Sequence, residues 1–243
     1  MARGKTLYAE NDLVYHVFNE SDKIYHIYKG NKEVWRDKQY NKNEVVFESS
    51  TGTSTSVYLD TGKYRIICVG GGGAAAMRGV YDDRGYGWGG GSGGAFDGII
   101  SITTSGNYDV VVGSANNNNI AQTSNTQTSN PPDTTTHDSY IDGVVVCGGG
   151  GSGHYNTNYV GAAGAAPVFT IVPDSYTVNT AGNAGSYNSG GKGSSPAATC
   201  AGGDSVYNGY GKGQGCKTSE YRTARSWING TNGYVKIVYL EDL

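Results

Sequence analysis

The sequence has little charge and few of the large aliphatic residues that build ordinary cores. Its 243 residues include 18 Lys or Arg and 21 Asp or Glu, for a net charge of −3 at pH 7. Nucleic-acid binding requires clustered Lys and Arg, so we expect no nucleic-acid partner. Disordered chains usually combine high net charge with few aromatics, whereas this chain has 20 Tyr and 3 Trp. The composition therefore indicates an ordered protein with a neutral, polar surface.

Long apolar runs and helical patterns are missing too. No stretch approaches the roughly 18–20 apolar residues of a transmembrane helix. The first five residues lead into mixed polar sequence without the apolar core of a signal peptide, so we expect no export by that route. No segment shows sustained helical periodicity. These absences favour an all-β fold.

The four cysteines show no C-x-x-C pairing, which argues against a zinc site. Cys68 and Cys147 follow strand-like sequence and are interpreted as small apolar residues at strand ends. Cys200 and Cys216 lie in loop-like sequence. Whether they form a disulfide is left open, because the distance and orientation that a disulfide requires cannot be read from a sequence.

No pattern typical of a catalytic centre stands out. Residues 211–218 (GKGQGCKT) come close to a phosphate-binding loop, but Cys216 occupies the position of the glycine before Lys217. The four histidines have no metal-ligand spacing. A glycoside hydrolase needs two placed carboxylates, and no acidic pair stands in such a context. We therefore predict no enzyme, no cofactor and no metal site.

Glycine is the abundant residue, and it is clustered. Of 40 glycines, three fall in the first 61 positions and 30 in the blocks 70–94, 148–164 and 182–215. Such runs have no side chains to bury and are costly to order, so they are either disordered or packed backbone against backbone. Strand-like segments, 66–69 and 144–147, lead into the first two blocks, and 233–239 follows the third. We therefore interpret the blocks as ordered parts of a fold.

The chain divides into two predicted domains. Residues 1–43 contain a small β unit, with strands over 13–18 and 23–28 and a tight hairpin turn at 29–32. Residues 44–243 form a glycine-rich β domain with a long loop at 114–136. Its predicted strands are 44–48, 56–59, 64–69, 95–102, 107–112, 144–147 and 234–240.

The order of segments in the second domain resembles the glycine-rich domain of bacteriophage tail fibre and tail-tip proteins. The resemblance covers about residues 44–243 and is carried by DTGKYRIICVGGGG, GGGSGGAFDGIISI, NYDVVVGSANN, SYIDGVVVCGGGG and NGTNGYVKIVYLE. It implies glycine segments packed as polyglycine II-type helices, with three residues per turn and no internal hydrogen bonds. The runs here are shorter than in that family and are interrupted by Ala, Tyr and Asn, which leaves the number of helices open.

Aromatic residues between the glycine segments are the candidate receptor-binding groups. Tyrosine combines contact area with a hydroxyl and few torsions, which suits binding surfaces. We predict that these inserts converge at one end of the glycine segments; the alternative is that the rings lie over the glycine faces and seal them. The candidates are Tyr81, Tyr86, Trp88, Tyr155, Tyr159, Tyr187, Tyr207 and Tyr210.

The resemblance implies a virion tail protein, a fibre tip or tail-associated adhesin, made in the host cytoplasm. Its receptor would be a host surface glycan or an outer-membrane protein. Residues 1–43, with too few strands for an independent core, would attach it to a fibre shaft or baseplate protein, with a homotrimer as a stoichiometry to test. The alternatives are a purely structural tail or head-decoration protein and a surface-glycan depolymerase.

Overall fold

A computed structural model describes most of the chain. The described residues are 5–9, 12–17, 19–20, 23–24, 26–29, 32–36, 40–79, 85–117, 128–129, 137–154, 160–189, 199–218 and 225–243. Only the backbone is given for 5–36, 77–79, 85, 128–129, 188–189, 199, 217–218 and 225–226. The described residues contain strands and no helix, which confirms the predicted all-β class.

The chain divides into two compact units, Met1–Asn41 and Lys42–Leu243. The sequence placed this boundary after residue 43. Asn43 has a φ of 65°, and its amide donates a 2.8 Å hydrogen bond to the carbonyl of Tyr239. That bond ties Asn43 to the second unit.

The first unit consists of a four-stranded antiparallel sheet, in the order β1-β2-β5-β6, and the two-stranded ribbon β3-β4. Lys29 pairs with Lys32, which confirms the hairpin turn predicted at 29–32. The strands are β1 (Lys5–Ala9), β2 (Asp12–Val17), β3 (Asn19–Glu20), β4 (Lys23–Ile24), β5 (His26–Lys29) and β6 (Lys32–Arg36).

The second unit is built on two five-stranded antiparallel sheets, in the orders β18-β12-β9-β23-β7 and β17-β16-β15-β13-β8. Two smaller sheets have the orders β14-β10-β11-β19 and β20-β21-β22. The strands are β7 (Val45–Ser49), β8 (Ser54–Leu59), β9 (Gly62–Val69), β10 (Ala76–Gly79), β11 (Gly85–Trp88), β12 (Ala95–Ile102), β13 (Gly106–Val111), β14 (Thr128–Ser129), β15 (Ser139–Ile141), β16 (Val145–Cys147), β17 (Val168–Phe169), β18 (Ser175–Thr180), β19 (Tyr187–Ser189), β20 (Thr199–Cys200), β21 (Gly215–Thr218), β22 (Arg225–Ile228) and β23 (Tyr234–Glu241).

The two large sheets pack against each other as a sandwich. The thiol of Cys147 in β16 donates to the carbonyl of Cys68 in β9, at 3.1 Å, and the rings of Phe96 and Phe169 meet edge to face at 4.9 Å. Alternate side chains of a strand point to the same face, so Tyr64, Ile66 and Cys68 share one face of β9. Buried aliphatic residues fill the space between the sheets, including Ile66, Ile100, Ile102, Ile141 and Ile237.

Glycine segments continue beyond the sandwich, and residues 89–94 lie at their centre. The six backbone amides from Gly89 to Gly94 donate in turn to carbonyls of Ser186, Gln214, Gly151, Asn183, Gly211 and Gly148, at 2.8–3.0 Å. Residues three apart therefore donate to the same neighbouring segment. The carbonyls of the central segment accept from Gly161 and Gly164, from Gly70 and Gly73, and from Gly203. Six extended segments thus surround 89–94 and bond to eleven of its twelve backbone N–H and C=O groups without a hydrophobic core.

Close approach explains why this layer needs glycine. A Cβ on Gly91 would lie 1.8 Å from the carbonyl oxygen of Ala162, and one on Gly93 would lie 2.1 Å from that of Gly70. Real Cβ atoms essentially never come within 3.0 Å of another heavy atom. Neighbouring backbones can therefore reach hydrogen-bond distance only where the side chain is absent.

Candidate functional site

The second unit has an end that is turned away from the sandwich, which we call the distal end. Strands β10, β11, β19, β20, β21 and β22 each adjoin a glycine segment along the chain. Gly79 pairs with Gly85 at the far end of β10-β11, and Thr218 pairs with Arg225 at the far end of β21-β22. Ser189 of β19 lies opposite Tyr86. The glycine layer therefore carries six short strands to one end.

Three of the predicted aromatic residues meet there: Tyr86, Trp88 and Tyr187, which we call the distal aromatic cluster. Trp88 lies opposite Tyr187 in the β11-β19 pair, with ring centroids 5.5 Å apart, and stacks on Tyr86 at 6.3 Å. Tyr187 is half exposed and Tyr86 is partly buried. The structure thus brings together candidates from two different glycine blocks.

Trp88 differs from the expectation of an exposed contact group, because its side chain is only 1% exposed. Its position directly before Gly89 places it at the edge of the glycine layer. There the backbone of Gly153 lies so close that an added Cβ would be 2.6 Å from the carbonyl oxygen of Trp88. The buried indole N–H has no hydrogen-bond partner among the described residues. Tyr187 is therefore the most exposed of the three rings in the cluster.

Tyr207 and Tyr210 lie elsewhere, against the sandwich. The Tyr207 hydroxyl donates to Asp97 Oδ2 at 2.9 Å, and the Tyr210 ring stacks on Tyr234 at 4.3 Å. The turn at Asn208 and Gly209, both with positive φ, folds this segment back on itself. The structure therefore does not bring Tyr207 and Tyr210 to the distal end, in contrast to the predicted convergence.

An ion-paired network holds this segment to the sandwich. Arg65 of β9 donates to both carboxylate oxygens of Asp97 in β12, at 2.9 and 2.8 Å. Burial alone would raise the pKa of Asp97, but the hydrogen bonds from Arg65 and Tyr207 outweigh it and lower the pKa. Burial and the bond to Asp97 raise the pKa of Tyr207 to about 12. The network is therefore fully formed at neutral pH and has a structural role.

The remaining candidates, Tyr81, Tyr155 and Tyr159, lie outside the described residues, as do most positions of the predicted loop 114–136. Among the described residues, no group of three or more His, Cys, Asp or Glu side chains is placed to hold a metal ion. Nor does that part of the chain include a helix of the length and apolarity needed to cross a membrane.

The cysteines separate into a bridged pair and two free thiols. Cys200 and Cys216 form a disulfide between paired positions of β20 and β21, buried beside Ala75. The sequence left this pairing open, since only the strand register places the two residues opposite each other. Cys68 and Cys147 are free thiols buried in the sandwich, which agrees with their interpretation as small apolar residues, and burial raises the pKa of the Cys147 thiol well above its usual range.

Comparison of the chain with protein-family models, with curated proteins and with solved structures finds no significant match.

Proposed function

We propose that this chain is a virion tail protein, a fibre tip or tail-associated adhesin, that binds a bacterial surface receptor through its distal end. The observation that carries the proposal is the hydrogen bonding of segment 89–94 to six neighbours. We interpret these segments as polyglycine II-type helices, since a period of three matches that helix class. A scaffold of this kind is rigid, yet the strands at its end are free to vary in sequence.

The distal aromatic cluster is the proposed contact surface. Tyr187, half exposed, offers a ring face to sugar C–H groups or to apolar side chains, and its hydroxyl can bond to polar groups. Trp88 beneath it fixes the ring in place, which limits the conformational entropy lost on binding. The receptor is a surface glycan or an outer-membrane protein, and recognition of either needs no catalytic group or cofactor.

The first unit is the proposed attachment module. Its one four-stranded sheet and one ribbon give little surface for an independent core, so docking on a fibre shaft or baseplate protein would complete it. A chain lacking the first unit, residues 1–41, should fail to enter particles, and its normal incorporation would contradict this role.

A purely structural tail or head-decoration role is the second candidate. It is favoured by the burial of Trp88 and by the stacking of Tyr210 on Tyr234, because those rings pack within the protein rather than contact a partner.

Binding of the fluorescently labelled full chain to a panel of bacterial strains distinguishes the two roles. Removing an aromatic anchor at an interface typically costs about 2 kcal/mol, or roughly thirtyfold in affinity. Tyr187→Ala should therefore weaken cell binding by about that factor. Tyr58→Ala is the matched control, since Tyr58 is also exposed but lies on β8 in the sandwich. Absence of binding to every strain, or equal loss in both variants, would favour the structural role.

A further inference from the structure

One continuous segment, residues 161–187, forms one side of the second unit. We call it the 161–187 hairpin. Near the distal end its two arms pair directly, with the amides of Gly182 and Gly185 donating to the carbonyls of Gly164 and Gly161, at 2.9 and 3.0 Å. Farther along, its strands β17 and β18 form one edge of each sandwich sheet. The hairpin therefore runs from the distal end along the edges of both sheets.

This side is exposed and almost free of charge. Of its 27 residues 18 are exposed, and Asp174 is the single charged one, against 39 charged residues in the whole chain. It also carries Val168, Val172 and Tyr176, whose exposed fractions are 65%, 81% and 59%. Depletion of charged residues is one mark of the buried centre of protein interfaces. A charge-poor run of this length is typical of a surface that becomes covered.

The two edge strands of the sheet β18-β12-β9-β23-β7 differ in their content of charged residues. Natural edge strands are commonly blunted by charged residues or proline. At one edge β7 carries Glu48, which forms a 3.0 Å ion pair with Lys236 of β23. At the other edge β18, with the sequence SYTVNT, has neither a charged residue nor a proline. The edge strand without a charged residue or a proline belongs to the 161–187 hairpin.

We propose that the 161–187 hairpin is a self-association surface, covered by the same surface of a second copy of this chain. A neutral surface offers no charge that would select a charged partner, and it does not repel its own copy. A twofold contact is self-complementary, so one patch suffices for both partners. The 18 exposed residues approach the roughly 20 residues a side of a standard interface. Tyr187, at the distal end of the hairpin, also belongs to the distal aromatic cluster, so the self-association surface and the proposed receptor-contact surface share this residue.

The test is the mass of the full chain in solution, measured by light scattering after size exclusion over a range of concentrations. The wild type should show twice the 25.5 kDa mass of one chain, with dissociation on dilution. Tyr176→Lys places a charge on the open edge and should raise the dissociation constant at least tenfold. Tyr58→Lys, the matched control, introduces the same charge at an exposed tyrosine outside the hairpin and should leave the constant unchanged.

Val172→Lys provides a second variant, because a side chain that is 81% exposed can be replaced with little effect on folding. It should weaken the dimer as Tyr176→Lys does, with an unchanged circular dichroism spectrum. A wild-type mass of one or three chains at every concentration would overturn the proposal. So would a dimer that neither lysine variant weakens relative to Tyr58→Lys.

Discussion

Replacing one glycine of the central segment tests how tightly the glycine layer is packed. In Gly91→Ala the new Cβ would lie 1.8 Å from the Ala162 oxygen, about 1.2 Å inside the 3.0 Å limit. The obstacle is backbone, which cannot rotate away like a flexible side chain. Segment 161–164 must therefore move, and Gly91 itself takes part in hydrogen bonds with Gly73 and Gly151.

The cost follows from those contacts. Overpacking costs about 1–3 kcal/mol, and each buried backbone group left without its hydrogen bond costs about 1–3 kcal/mol more. The lower conformational entropy of the unfolded alanine variant offsets only about 0.4–1 kcal/mol of this cost. We expect a net loss of about 3 kcal/mol, which lowers the melting temperature of a unit of this size by about 6–12 °C.

Gly106→Ala is the matched control. Gly106 begins β13, and a Cβ there would meet nothing within 4 Å. Thermal unfolding followed by circular dichroism should place this variant within about 2 °C of the wild type, given its small expected effect. If Gly91→Ala also melted within that range, the close packing of segment 89–94 would be refuted.

Further predictions concern the disulfide, the Asp97 network and the buried indole. Thiol titration of the unfolded, unreduced chain should find two thiols rather than four. Reduction of the Cys200–Cys216 disulfide should lower the free energy of unfolding by about 3 kcal/mol, because the two residues are 16 positions apart in the sequence. The pKa of Tyr207 is raised from 10.0 to about 12, so the hydrogen bond to Asp97 stabilises the fold fully below pH 10 and is lost as the pH rises toward 12. The melting temperature should therefore fall more between pH 10 and pH 12 in the wild type than in Tyr207→Phe. Trp88→Ala should destabilise by about 3–5 kcal/mol in denaturant unfolding, whereas a loss under 1 kcal/mol would contradict the burial of the ring.

The sequence predicted well the elements whose signal is local. Strands β9, β12 and β23 are rich in β-branched and aromatic residues, and each was expected at nearly its observed bounds. The short strands β10 and β11 were missed, because four-residue segments with glycine carry no clear alternation.

The placement of side chains between distant segments was the least predictable part. Tyr207 bonds to Asp97, which is 110 residues away, and nothing around Tyr207 distinguishes it from Tyr187. Trp88 looked like a loop residue in the sequence, but its pairing with Tyr187 buries it. Such outcomes depend on which strands pair and in what register, and neither can be deduced from one segment alone.

Residue-level amide hydrogen exchange, measured by NMR, tests most directly the scaffold on which this account rests. In segment 161–166 only Gly161 and Gly164 donate to the central segment. The four alanines of this segment are exposed residues, and their amides donate to no described residue. We predict slow exchange at these two glycines and fast exchange at Ala162, Ala163, Ala165 and Ala166, together with slow exchange throughout 89–94. Uniformly fast exchange over both segments would contradict a hydrogen-bonded glycine scaffold.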